Sequence, residues 1–403
     1  MIDVADVREA RERVRETSRH TPLDYSHTYS EMTGAEVHLK LENFQRTGSF
    51  KIRGATNRIE TLSAAQREAG VVTASAGNHA QGVALAATRS GVDAKIVMPE
   101  HAPISKVKAT RGYGAEVVLH GADYSEAAER AHEIERAEDR TYVHAFDDEM
   151  VMAGQGTIGL EIVEDCPEVD TVVVPIGGGG LISGIATAIT AERPEARVVG
   201  VQAEGASSVA PSLEKGEIHE LDGVDTIADG IATRRVGDRT FEVIRERVDE
   251  VVTVSDAEIA MAITYLLERS KTLVEGAGAV SLAALLSGAI DHDEGEVIVP
   301  ALCGGNIDLN TLTTVVMRGL VETGRYLKIR TVLKDRPGSL EGLLEVVADM
   351  QANIYAVRHD RTSREIGMSD TEIELDLETR GPDHVAELLA AIREAGYEVE
   401  RLV

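Results

Sequence analysis

At 403 residues the chain has room for two or three domains, each with its own core. Its 69 acidic residues against 41 basic ones leave a formal charge of -28, a field that repels nucleic acid and anionic lipid. Hydrophobic residues make up 43% but aromatics only 3%, with no Trp, so the core must rest on Val, Ile, Leu and Ala. Most of the basic residues are Arg, and the acidic excess suits a surface solvated at high salt, where charge repulsion is screened. Cys166 and Cys303 are too few for a disulfide framework. The N-terminus carries Asp3 and Asp6 where a signal peptide would carry base and then an apolar run, which predicts a cytoplasmic protein. The longest uncharged run, residues 171–190, holds Pro175 and four adjacent glycines, a poor spanning helix. It reads as strand, glycine loop and helix, not as a membrane span.

In chain order, residues 3–17 form an amphipathic pattern with Val4, Val7 and Val14 on one face, broken at Pro22. Residues 36–42 alternate like a strand, and a helix is expected from about Lys51 to Leu62. Short apolar strands then recur, each feeding a polar or Gly-rich loop: 71–74, 94–98, 116–119, 141–143, 171–174, 197–201 and 296–299. A helix-like stretch covers 156–164. Strands alternating with helices predict parallel βα units in an open α/β sheet, where ligands sit beyond the carboxyl ends of strands. Composition shifts near 319–324. Strands at 328–334, 353–359, 371–377 and 397–403, with helices at 339–350 and 382–395, then give a ferredoxin-like βαββαβ unit.

The unusual residues fall at predicted strand ends. Gly177, Gly178, Gly179, Gly180 and Leu181 follow a strand and open a helix, so consecutive amides and a helix N-terminus can face an anion, a phosphate above all. This is neither a Walker loop nor the spaced dinucleotide fingerprint; a tight turn needing glycine is the plainer alternative. Lys51 follows the Gly48-Ser49 turn and can be aimed into a cleft, where a lysine of lowered pKa forms a Schiff base with a carbonyl. A solvated lysine at a helix start is the plainer alternative. A phosphate cup, a nucleophilic lysine and the loop Ser75-Ala76-Gly77-Asn78-His79 together suit a phosphate-bearing aldehyde, pyridoxal 5'-phosphate.

These stretches resemble the threonine/serine dehydratases of the β-family, or fold type II, pyridoxal-phosphate enzymes. The resemblance runs over roughly residues 5–320, through residues 47–55, 75–82, 153–157, 177–181 and 304–308 in order. The tail, through Arg336-Pro337-Gly338-Ser339-Leu340, is similar to an ACT domain, an amino-acid-sensing module. The implied organisation is a catalytic domain over 1–320 with a mobile small subdomain at about 38–145, a linker at 321–326, and an ACT domain at 327–403. The implied fold is tryptophan-synthase-β-like. Lys51 would hold the cofactor and abstract the Cα proton. Phe50 would pack on the cofactor ring, Asn78 would bond its 3′-oxygen, and the amides of residues 177–181 would bind its phosphate. Ser75, Asn78 and His79 would clamp the substrate carboxylate; a locally bonded loop histidine is the alternative for His79. Cys303 would face the pyridine nitrogen, a weaker electron-sink arrangement that favours β-elimination; a small buried hydrophobe is its alternative.

Ala76 stands where racemases of this family carry a proton-donating serine, which demotes racemisation. Glu204 matches a divalent-metal ligand of those racemases, but Ala210 occupies the Asp position, so no divalent site is implied; a monovalent cation is the milder expectation. The implied activity is deamination of L-threonine to 2-oxobutanoate and ammonia, a first step of isoleucine biosynthesis, with some activity on L-serine. Isoleucine or valine would act as effector at paired ACT domains, in a homodimer or homotetramer. A serine or 3-hydroxyaspartate ammonia-lyase, a serine racemase, and a non-catalytic amino-acid sensor are the alternatives.

Overall fold

A computed structural model describes residues 1–362 and 367–403. The chain divides into two compact units, 1–308 and 309–403.

The first unit carries two sheets. Six strands lie in the order Leu23–Tyr25, Glu36–Lys40, Val297–Pro300, Thr171–Pro175, Arg197–Ala203 and Glu250–Val254, all parallel except the first, which runs antiparallel to its neighbour. A second, all-parallel sheet has the order Glu116–Leu119, Ala94–Met98, Val71–Ala74 and Thr141–Tyr142. Helices cover these strands, so the central ones are buried on both faces and read as continuous apolar runs: Thr171–Pro175 and Val71–Ala74 are buried throughout. The scarcity of aromatics is met by small side chains. The helix Asn78–Ser90 buries Ala80, Val83, Ala84 and Ala87, spaced as one face of a helix, and ends at Gly91 in the left-handed region.

The sequence expectations place most of these elements within a residue or two. The helix expected at 156–164 begins earlier, as Glu149–Asp165, because Asp148 caps it by accepting from the amides of Met150 and Val151. Glu42 belongs to a 3-10 turn and not to the preceding strand. The reading of 171–190 as strand, loop and helix matches Thr171–Pro175 and Gly180–Glu192. Among the described residues, no helix is long and apolar enough to cross a membrane.

The second unit opens with the helix Leu309–Glu322, which occupies the start of the span 321–326 that composition marks as a linker. The strands Tyr326–Lys334, Asn353–Asp360, Asp370–Glu378 and Val399–Arg401 pair antiparallel, with the edge order second, third, first, fourth. Helices Ser339–Asp349 and Pro382–Glu394 complete the ferredoxin-like βαββαβ arrangement. Leu327, Ile329, Leu343, Leu375 and Leu388 form its core. The last strand is shorter than expected, Val399–Arg401, although Leu402 still donates its amide to the Lys328 carbonyl at 2.8 Å.

Candidate active site

The lysine turn is built by the other end of its own unit. The 3-10 turn Arg46–Gly48 holds Thr47 at φ 64, a left-handed conformation that costs a β-branched residue about 1–3 kcal/mol. Asn306 secures it by donating from Nδ2 to the Thr47 carbonyl at 2.6 Å. Gly305 donates its amide to the Gly48 carbonyl at 2.9 Å, and Phe50 donates its own to Cys303 at 3.2 Å. The turn is thus stitched to the segment that follows the strand Val297–Pro300. Lys51 then begins the helix Lys51–Glu60 with its amine aimed inward.

That amine enters a cavity of about 750 Å³. Phe50, Lys51, Ser75, Asn78, His79, Gly177, Gly178, Gly179, Gly180, Leu181 and Cys303 all line it, so every site residue expected from the sequence meets in one place. Nζ of Lys51 donates to the Ala145 carbonyl at 3.1 Å and lies 5.0 Å from the centre of the Phe50 ring. Burial outweighs the nearby Cys303 and Glu275 and lowers its pKa to about 8. A minor fraction of the amine is therefore unprotonated near neutral pH, far more than for an exposed lysine.

The glycine run forms the opposite wall. Gly179 precedes the helix Gly180–Glu192 with no side chain capping it. Among the described residues, no protein acceptor takes the amide hydrogens of Gly177, Gly178, Gly179, Gly180 or Leu181. The carbonyl side of the loop is tied back, with Gly178 accepting from Thr240 Oγ1 at 2.7 Å and from the Gly237 amide at 3.2 Å. A row of unpaired amides at a helix N-terminus fits a phosphate.

Three expected residues are occupied in ways the sequence does not reveal. His79 is buried, and its Nε2 donates to the Val143 carbonyl at 2.9 Å. Desolvation, followed by the charge of Lys51, lowers its pKa to about 3, so the ring stays neutral. With Nε2 so engaged, the neutral ring can offer a ligand only its acceptor Nδ1, and donation to an anion falls to the main chain. The Ser75 hydroxyl accepts from the Gly77 amide at 3.1 Å. The Cys303 thiol donates to the Ala277 carbonyl at 3.2 Å, and burial pushes its pKa up, so it remains a thiol.

The cavity also holds residues that sequence reasoning missed. Phe146 packs behind the glycines, and Glu275 places a carboxylate beside Asn78. Neither sits in a recognisable motif. Below the site, Arg53 is buried between Glu42 and Glu161, donating to the first at 2.7 and 2.9 Å and to the second at 2.7 and 2.9 Å. Lys40 adds a second buried cation at 2.8 Å from Glu161.

Open α/β sheets, a buried amine of lowered pKa and a phosphate cup facing it across one cavity define an enzyme site for a phosphorylated carbonyl compound. Residues 14–304 match the model of the family described as "pyridoxal-phosphate dependent enzyme", and the chain belongs to that family. It is 49% identical over 399 residues to an L-threonine ammonia-lyase of Thermotoga maritima, covering 99% of both chains. Among solved structures it is similar to the processed form of threonine deaminase isoform 2 from Solanum lycopersicum, with a TM-score of 0.76, 38% identity, and 78% of this chain and 92% of that one covered. Maize serine racemase is similar at a TM-score of 0.75, 38% identity, and 79% and 98% coverage.

Proposed function

We propose that the protein binds pyridoxal 5'-phosphate in this cavity and deaminates L-threonine to 2-oxobutanoate and ammonia. The observation that carries the reading is the pairing of an inward amine of lowered pKa, Lys51, with five unpaired main-chain amides at residues 177–181 in one cavity. The full-length similarity to an L-threonine ammonia-lyase supports it.

When bound, the cofactor supplies the electron delocalisation that makes a Cα proton removable. The protein's residues do the rest. Lys51 would hold the cofactor aldehyde, and its amine, of lowered pKa, would take the substrate Cα proton as general base. The amides of residues 177–181 would hold the phosphate, and Asn78, which lines the same cavity, would offer its side-chain amide to the ring. Phe50 lies along the lysine and the cavity wall. The loop 75–79 offers main-chain donors to the substrate carboxylate. The proton taken from Cα and the β-hydroxyl depart together as water, and addition of one water to the released enamine gives 2-oxobutanoate and ammonia.

Ala76 has no proton to return to the opposite face of Cα, which supports elimination over racemisation despite the similarity to a racemase. One methyl group is worth about 1–3 kcal/mol of discrimination, so L-serine is a slower substrate. The ferredoxin-like unit serves as an ACT domain that binds isoleucine or valine. Its support is the βαββαβ order of residues 326–401 and the 99% coverage of the Thermotoga maritima relative.

Two measurements test the reading. Comparing kcat/KM for L-threonine, L-serine and 3-hydroxyaspartate is expected to favour threonine; a preference for another would reassign the substrate. Saturation curves with and without isoleucine and valine, repeated after deletion of residues 327–403, are expected to differ only for the full chain. Identical curves would remove the regulatory reading.

A further inference from the structure

The proposed reaction leaves Glu275 without a task, although its carboxyl group lies inside the cavity. Glu275 stands just before the helix Gly276–Leu286, and its amide donates to the Gly304 carbonyl at 3.0 Å. The chain at Gly304 presses against the carboxyl, since a Cβ there would fall 2.4 Å from Oε1. Oε1 accepts from Nδ2 of Asn78 at 2.6 Å. On its other side, Asn78 Oδ1 accepts from Asn306 Nδ2 at 2.8 Å. That same Asn306 nitrogen donates to Thr47 in the lysine turn at 2.6 Å.

The side-chain amide of Asn78 is therefore held from both ends. Turning it over would set its oxygen against a carboxyl oxygen and its nitrogen against another NH₂ group. One Nδ2 hydrogen remains for a ligand in the cavity. We infer that Glu275 is a positioning residue for the bound cofactor: it fixes Asn78 toward the ring oxygen, and its charge, carried through that amide, sets how much negative charge the oxygen retains. The inference rests on the cavity being the pyridoxal-phosphate site.

Four groups face Glu275 from the packed elements. They are Lys51, Lys106 of the helix Ile104–Gly112, Asp229 of the turn Asp229–Ile231, and Cys303. Desolvation is the largest influence and raises the Glu275 pKa, against the opposing bond from Asn78 and the lysine charges. As pH rises the carboxyl ionises and polarises the Asn78 amide more strongly.

The test loads wild type, Glu275→Gln and Glu275→Ala with pyridoxal 5'-phosphate. It reads the dissociation constant by titrating apoprotein and the visible absorption band as a function of pH. Gln keeps an oxygen acceptor for Asn78 but cannot ionise. It is expected to bind within about threefold of wild type while losing one pH-dependent component of the band. Ala removes the acceptor and is expected to weaken binding about tenfold or more. A Glu275→Gln spectrum that titrates as wild type does, with unchanged affinity in Glu275→Ala, would overturn the inference; should Ala fail to fold, the Gln titration decides. If wild type itself binds no pyridoxal phosphate, the reading of the site fails, and this inference with it.

Discussion

Phe146 occupies the space that a side chain at position 178 would need: a Cβ on Gly178 would fall 2.3 Å from the ring. The ring sits two residues before Asp148, which caps the helix Glu149–Asp165, and one after Ala145, which accepts from Lys51. The two sides of the cavity therefore share one support. Gly178→Ala must push the ring or the loop aside, which displaces the amides facing the cavity. The expected outcome is a folded protein whose affinity for pyridoxal phosphate falls at least about tenfold, the loss of roughly one well-made charged hydrogen bond. Fluorescence titration of apoprotein reads this directly. Wild-type affinity in Gly178→Ala would remove the glycine run from the phosphate site.

Lys51 carries a stability cost that pH reveals. Its pKa is about 8 in the folded protein against an ordinary 10.5. Below pH 8 both folded and unfolded chains hold the proton, and the folded one bears the full penalty of a buried charge. Between pH 8 and 10.5 the unfolded chain binds more protons than the folded one, so stability rises with pH across that window. At about 1.4 kcal/mol per pH unit the penalty is about 3 kcal/mol. Lys51→Met apoprotein is expected to be more stable than wild type by up to that amount at neutral pH, with the difference closing as pH passes 10.5. Urea midpoints at a series of pH values check it. A difference that does not change with pH would mean the amine is not desolvated.

Arg53, two residues beyond Lys51, ties the lysine helix to Glu42 after the strand Glu36–Lys40 and to Glu161 of the helix Glu149–Asp165. Breaking a buried pair by removing one partner costs about 3–5 kcal/mol, because the other charge is left uncompensated. Arg53→Met leaves the buried Glu42 carboxylate without a charged partner, while Glu161 keeps Lys40, and is expected to lose stability in that range. Arg53 and Lys40 hold the Glu161 pKa below the usual carboxylate range despite its burial. The network's contribution is accordingly complete above that range and lost as pH falls through the depressed value. An acid-unfolding midpoint unchanged in Arg53→Met would contradict this.

Much of the site was legible because its residues sit at strand ends, where parallel sheets put their ligands. Lys51, Asn78, the glycine run and Cys303 are each preceded by an apolar strand or a glycine turn, and each marks itself by residue type. Glu275 gave no such sign. In Val274-Glu275-Gly276 it reads as an ordinary surface acid, and only the packing of Gly304 against it brings it indoors. Arg53 and Glu161 are silent for the same reason, since pairing across 108 positions has no local pattern. Among the elements, Glu250–Val254 was missed because it is a half-buried edge strand with no unusual residue at its end. The helices Asp256–Tyr265 and Gly276–Leu286 have apolar residues around much of their surface, so no single face stands out. The role of the His79 ring was obscured by a tertiary contact, the Val143 carbonyl, 64 positions away.

The most direct measurement is the product formed from L-threonine by the pyridoxal-phosphate-loaded protein in high salt, beside Lys51→Ala treated identically. The wild type is expected to form 2-oxobutanoate and ammonia in equal amounts, and the variant none above background. Formation of D-allothreonine, the Cα epimer, without oxo acid, or undiminished oxo-acid formation by Lys51→Ala, would contradict this.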